Sequence, residues 1–216
     1  LRFAIGMRVS SPYTLADMAA DSVAVLDVLG IAKAHVCGAS MGGMIAQHMA
    51  ARHPERVKSL TLMMTTSGAR HLPGPSLKVR GALMSRPKDQ RLETIVEHYV
   101  NLYGLIGSPA YPAGKDYLRE RFTRSVRRSY RPAGTARQMV AIAADGDRTP
   151  LLRTLRPPTH VIHGAADPLV PVAAGRDLGA RIPGATLDVI DGMGHDLPKE
   201  LWPRFVAGIA GAAGRA

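Results

Sequence analysis

Apolar positions in the first third of the chain follow two rhythms. Leu15, Met18, Ser22, Val25, Leu26 and Leu29 recur at helical spacing. Thr14 stands where a helix cap belongs, and Asp17 is at the third helical position, so Thr14-Leu15-Ala16-Asp17 reads as close to a capping box. Gly30 is a natural stop. The link Ile31-Ala32-Lys33 leads into a short apolar run ending at Cys37, which reads as a strand. Met44, Ile45, His48, Met49 and Arg52 then share one face of a second helix, ended by His53-Pro54. Val57 to Met64 reads as another strand. Helix, strand, helix, strand with short links predicts an α/β fold: a parallel sheet flanked by helices.

The pattern changes near Thr65. Ser67-Gly68 and Leu72-Pro73-Gly74-Pro75 read as loop, and residues 76–150 contain no convincing strand. Leu92, Ile95, Val96, Tyr99 and Val100 give an amphipathic helix, followed by a loop from Gly104 to Gly114. Tyr117 to Tyr130 is expected to be a helix carrying Arg119, Arg121, Arg124, Arg127 and Arg128, and Thr135 to Ala144 another. Strand rhythm returns over residues 158–164, then a loop, a helix to about Arg181, and a final strand over residues 185–190. Lys199 to Ala210 is expected to close the chain as a helix, with Gly211 to Ala216 frayed. The expected division is a first core part at 1–70, an all-helical lid insertion at 71–150, and a second core part at 151–216. Residues 1–13 carry no clear pattern.

Composition changes this picture little. At 216 residues the chain can bury a sizeable core, and no apolar run reaches membrane-spanning length. The single cysteine, Cys37, excludes an internal disulfide and is expected to be buried in its strand. That suits a reducing, cytoplasmic setting. The net charge is +11. Without an accompanying nucleic-acid-binding pattern, the charge reads as an arginine-rich composition on solvated faces, with neither nucleic acid nor membrane as partner.

The chemistry gathers on three loops. Gly38-Ala39-Ser40-Met41-Gly42 fits G-x-S-x-G, a sharp strand-to-helix turn with an exposed serine. Both glycines are expected to be there because a Cβ would crowd the turn. A serine hydroxyl needs a base to take its proton and a third group to hold that base. Asp167 lies four residues beyond the strand ending at His163, and His195 lies five beyond the strand ending at Ile190. The order Ser, Asp, His, each on a loop after a strand, places all three at one edge of the sheet. Other polar residues read more plainly. His160 and His163 point to opposite faces of a strand and make a poor metal pair. His48 is packed or at a rim, His53 ends a helix, and Asp145-Gly146-Asp147 is a turn with no strand before it. Met84, Tyr99, Tyr103 and Met139 are pocket candidates from the lid, with ordinary packing as the equal alternative.

With Gly38-Ala39-Ser40-Met41-Gly42-Gly43, His163-Gly164-Ala165-Ala166-Asp167-Pro168 and Gly192-Met193-Gly194-His195, the chain resembles the α/β-hydrolase fold family over about residues 13–66 and 150–210. Together with Tyr13 to Asp21, it looks most like the esterase branch that includes the aclacinomycin methylesterases. The resemblance implies Ser40 as nucleophile, His195 as general base and then acid, Asp167 as orienting acid, and the backbone N–H of Met41 as an oxyanion donor. It implies a cofactor-independent, metal-free hydrolase of a small to medium carboxylic ester. The family's second oxyanion donor comes from an early His-Gly loop. Ile5-Gly6-Met7 does not match it, so that donor and the first strands are expected upstream of Leu1. Proline-iminopeptidase-like aminopeptidases resemble this pattern less, since they commonly carry Trp after the serine and an acidic lid. A cofactor-free perhydrolase or haloperoxidase fits the same three residues. A non-catalytic, truncated interaction module is the rival from outside the enzymes.

Overall fold

The computed structural model describes residues 9–216; the Ile5-Gly6-Met7 reading and most of the lead-in lie outside them. Four strands form one parallel sheet in the order β1 (Ala34–Ala39), β2 (Val57–Met63), β3 (Thr159–Gly164) and β4 (Thr186–Ile190). Helices α1 (Leu15–Val28) and α2 (Met41–Arg52) flank β1 in sequence. Between β2 and β3 come α3 (Leu77–Met84), α4 (Leu92–Ile106), α5 (Lys115–Arg128), α6 (Pro132–Asp145) and the short α7 (Thr149–Leu152). Helix α8 (Ala173–Arg181) joins β3 to β4, and α9 (Trp202–Ala213) follows a short 3-10 turn at Lys199–Leu201.

Period-two alternation sends successive strand residues to opposite faces. Leu60 and Leu62 of β2 and Val161 of β3 face a core shared with α1, α2, Leu152, Leu155 and α8. Met63 and Ile162 face the other way, onto Leu201 and Phe205. Helix α9 therefore covers β2 and β3 on that side. At the edge strand β1, His35 and Cys37 on this side are exposed, so the expectation of a buried Cys37 is corrected.

The first helix keeps its expected start. The Thr14 hydroxyl accepts from the Asp17 N–H at 3.1 Å, and the Asp17 carboxylate accepts from the Thr14 N–H at 2.8 Å. Its buried stripe, however, is Leu15, Ala19 and Val23, while Val25 and Leu29 stand in solvent. Ala19 and Val23 join Ala46, Met49 and Ala50 of α2 in the core, because α1 packs on α2. Residues 76–150 add no strand, as expected; α3 lies where no particular element was assigned, and the last turn of α4 occupies the start of the stretch expected as loop. Val96, Val100, Leu118 and Phe122 give α4 and α5 a small core of their own. The arginines of α5 lie mostly in solvent; Arg119 pairs with Glu97 and Asp116, and Arg124 with Glu120. Helix α9 runs to Ala213, past the point where fraying was expected. Among the described residues no helix is long and apolar enough to cross a membrane.

Candidate active site

The turn after β1 forces Ser40 into φ 52°, ψ −120°, a left-handed conformation that a side chain other than glycine rarely adopts. Such strain costs about 1–3 kcal/mol and persists only where the surroundings hold it. Here the Ser40 N–H donates to the Met63 carbonyl at 2.9 Å, and the Thr65 hydroxyl donates to the Ser40 carbonyl at 2.7 Å. A Cβ on Gly38 would lie 2.4 Å from the Gly42 carbonyl oxygen, so position 38 must be bare for the turn to close. At Gly42 a Cβ would meet nothing within 4 Å, contrary to the expectation from the motif. The second steric glycine is Gly43, where a Cβ would fall 2.7 Å from the Thr65 side chain.

The three loops converge as their spacing implied. His195 Nε2 is 3.0 Å from Ser40 Oγ, and His195 Nδ1 is 2.7 Å from Asp167 Oδ2. An ionised carboxylate only accepts, so the Nδ1 proton belongs to the Asp167 bond and Nε2 is left to accept from the serine. Asp167 is itself fixed: its Oδ1 accepts from the N–H groups of Leu169 at 2.9 Å and Val170 at 2.8 Å. Asp167 and His195 are both buried. The loop carrying Asp167 is zipped to the loop carrying His195, since Ala165 N–H donates to Ile190 and Ala166 N–H to Met193.

Met41 is the first residue of α2, so its amide lies at the positive end of the helix dipole beside Ser40. Its side chain packs with Leu15, Met44 and Ala141. His163 sits behind Asp167. Its Nε2 donates to the Val170 carbonyl at 2.8 Å and is 3.8 Å from Asp167 Oδ2, while its Nδ1 has no partner. Burial is the main cause that holds its imidazole below the usual histidine range, opposed by the Val170 bond and the Asp167 charge. His160, half-buried, bonds the Thr186 hydroxyl on the opposite face. Among the described residues no group of three His, Cys, Asp or Glu could hold a metal ion.

The pocket candidates separate. Met84 and Met139 expose 77% and 45% of their surface, so neither lines an enclosed pocket in this arrangement. Tyr99 stacks on Phe122 within the α4–α5 core. Tyr103 meets Phe122 edge-on and also lines a cavity of about 190 Å³ with Tyr111, Tyr117, Arg121 and Asp196.

Two arrangements had no signal in the sequence. Arg148, buried, donates to Asp145, to Gln47 Oε1 at 3.0 Å and to the Thr66 carbonyl at 2.7 Å, while His48 Nε2 meets Asp145 Oδ1 at 2.7 Å. The end of α6 is thereby locked to α2. The other arrangement joins residues 106–110 to the His195 loop.

Comparison with known proteins identifies the fold family. A family model described as the alpha/beta hydrolase fold matches residues 5–200. A pimeloyl-(acyl-carrier protein) methyl ester esterase from Chromobacterium violaceum is 32% identical over 77% of this chain and 66% of its own length. A rhodomycin D methylesterase from Streptomyces peucetius is 29% identical over 92% of this chain and 72% of its own length. The chain thus spans about two thirds to three quarters of these two relatives. In fold it superposes on a meta-cleavage product hydrolase from Pseudomonas fluorescens with a TM-score of 0.77, at 23% identity, covering 95% of this chain and 74% of that one. The chain belongs to the α/β-hydrolase fold family.

Proposed function

We propose that the protein is a cofactor-independent serine hydrolase of carboxylic esters, acting through an acyl-enzyme. The observation that carries this reading is the unbroken relay from Asp167 through His195 to Ser40, at 2.7 and 3.0 Å. Ser40 Oγ attacks the ester carbonyl while His195 Nε2 takes its proton. The Nδ1–H bond to Asp167 holds the ring in the right tautomer and stabilises the imidazolium. The tetrahedral oxyanion is held by the Met41 N–H at the start of α2. Collapse expels the alcohol, which leaves with the proton from His195. Water, activated by the same nitrogen, then releases the acid and restores Ser40.

Two of the relatives named above are methyl ester hydrolases, which favours an ester of a small alcohol on a small to medium organic acid. The segment 71–150 is read as the lid that excludes water and shapes the acyl site. The test is turnover of a p-nitrophenyl ester series by the complete protein and by Ser40→Ala. Hydrolysis that is lost in Ser40→Ala supports the reading, and equal hydrolysis by both refutes it.

A further inference from the structure

Leaving α4, residues 106–110 pass over the loop that carries His195. The His195 N–H donates to the Ile106 carbonyl at 2.7 Å, and the Ala110 N–H donates to the Gly192 carbonyl at 3.1 Å. Between these, the buried Ser108 uses both capacities of its hydroxyl on that one loop. Its Oγ accepts from the Gly194 N–H at 2.8 Å and donates to Asp196 Oδ1 at 2.5 Å. The Ser108 N–H donates to the same carboxylate oxygen at 3.1 Å. Gly194 and Asp196 stand on either side of His195, so three consecutive residues of the histidine loop are fixed to one strap of the helical segment. The approach is close: a Cβ on Gly194 would fall 2.4 Å from the Gly107 carbonyl oxygen.

We propose that Ser108 is a positioning residue for His195, its hydroxyl bridging the Gly194 amide and the Asp196 carboxylate so that the imidazole stays within hydrogen-bond distance of Ser40. The inference rests on the esterase reading of Ser40 and His195. A hydroxyl suits the place because it is donor and acceptor at once. Alanine is neither, and it leaves the buried Gly194 N–H unpaired and the Asp196 carboxylate short of one donor. The helical segment thereby gains a role beside covering the site. Its junction with the histidine loop sets the geometry of the base, and a misplacement of about 1 Å there lowers turnover by roughly 100-fold.

The test compares the complete protein with Ser108→Ala, Asp196→Ala and the double variant, using p-nitrophenyl acetate turnover, thermal unfolding and the downfield proton NMR signal of the His195 Nδ1–H. The signal is assigned by its loss in His195→Gln. In Ser108→Ala, kcat is expected to fall about 10- to 100-fold with KM within about twofold, and the downfield signal to broaden or shift. The double variant is expected to be little worse than the worse single variant, because both remove one bridge. Val100→Ala, which opens a cavity in the α4–α5 core, controls for stability: it is expected to lower the melting temperature without moving kcat or the signal. Unchanged kcat and signal in Ser108→Ala overturn the proposal while leaving the esterase reading intact. Loss of kcat in Val100→Ala to the same extent also overturns it, since general destabilisation then suffices. If the unmutated protein shows no Ser40-dependent turnover, the esterase reading falls. The NMR signal alone then decides whether Ser108 orders His195: a shift supports the bridge and an unchanged signal refutes it.

Discussion

The glycines of the serine turn are chemically alike and sterically opposite, and Gly38→Ala beside Gly42→Ala measures the difference. At position 38 the new Cβ would lie 2.4 Å from the Gly42 oxygen, 2.6 Å from its carbonyl carbon and 2.7 Å from the Gly43 nitrogen. Ordinary contact begins near 3.4 Å, so the turn must open by close to an ångström. All three obstructing atoms are backbone, so no side chain can swing aside. Overpacking of this kind costs about 1–3 kcal/mol and sometimes more, which is roughly 2–12 °C of melting temperature at this size. The same displacement moves the Ser40 hydroxyl off His195 Nε2, and turnover is expected to fall roughly 100-fold. At position 42 the Cβ meets nothing within 4 Å, and the backbone there is already helical. Alanine is the better helix former by about 1 kcal/mol, so Gly42→Ala is expected to be neutral or slightly stabilising. Urea and thermal unfolding give the stability difference; the rate of fluorophosphonate labelling reads the serine. If Gly42→Ala destabilised the fold as much as Gly38→Ala, the steric reasoning would be wrong.

Asp167→Asn keeps the shape of the relay but disturbs the histidine tautomer; turnover is expected to fall by about 1,000- to 10,000-fold with KM little changed, and steady-state kinetics checks it. Arg148→Met strands the Asp145 carboxylate with His48 as its remaining partner and is expected to cost about 3–5 kcal/mol by urea unfolding. Adding Asp145→Leu is expected to recover much of that loss, and no recovery would argue against an electrostatic origin. His163 is held neutral in the fold because burial lowers its pKa below that of the unfolded chain. Its stability contribution is therefore complete above about pH 6.5 and is lost as pH falls from there through the folded value. His163→Gln is expected to flatten the pH dependence of unfolding below 6.5, and an unchanged slope between the two proteins would contradict this.

Ser40, Asp167 and His195 were legible because each follows a strand, and parallel strands deliver the loops at their carboxyl ends to one edge. Thr14 and Asp17 were legible because a cap is a local device. What stayed hidden depends on partners far along the chain. Helical spacing favoured Val25 and Leu29, yet close packing of α1 on α2 selects Ala19 and Val23. An apolar run suggested a buried Cys37, but α9 stops short of the edge strand. The motif named Gly42, whereas the side chain of Thr65, reached only after β2, makes Gly43 the constrained position. Ser108 with Asp196, and Arg148 with Gln47, meet across 88 and 101 residues. Neither pair has a periodicity or spacing that a sequence could show.

Intact mass and peptide mapping after reaction of the complete protein with a fluorophosphonate tests the relay most directly. One adduct per chain, on the peptide containing Ser40, is expected, with labelling slowed at least 1,000-fold in His195→Gln. An adduct elsewhere, or undiminished labelling in His195→Gln, would contradict the claim that Asp167 and His195 activate Ser40.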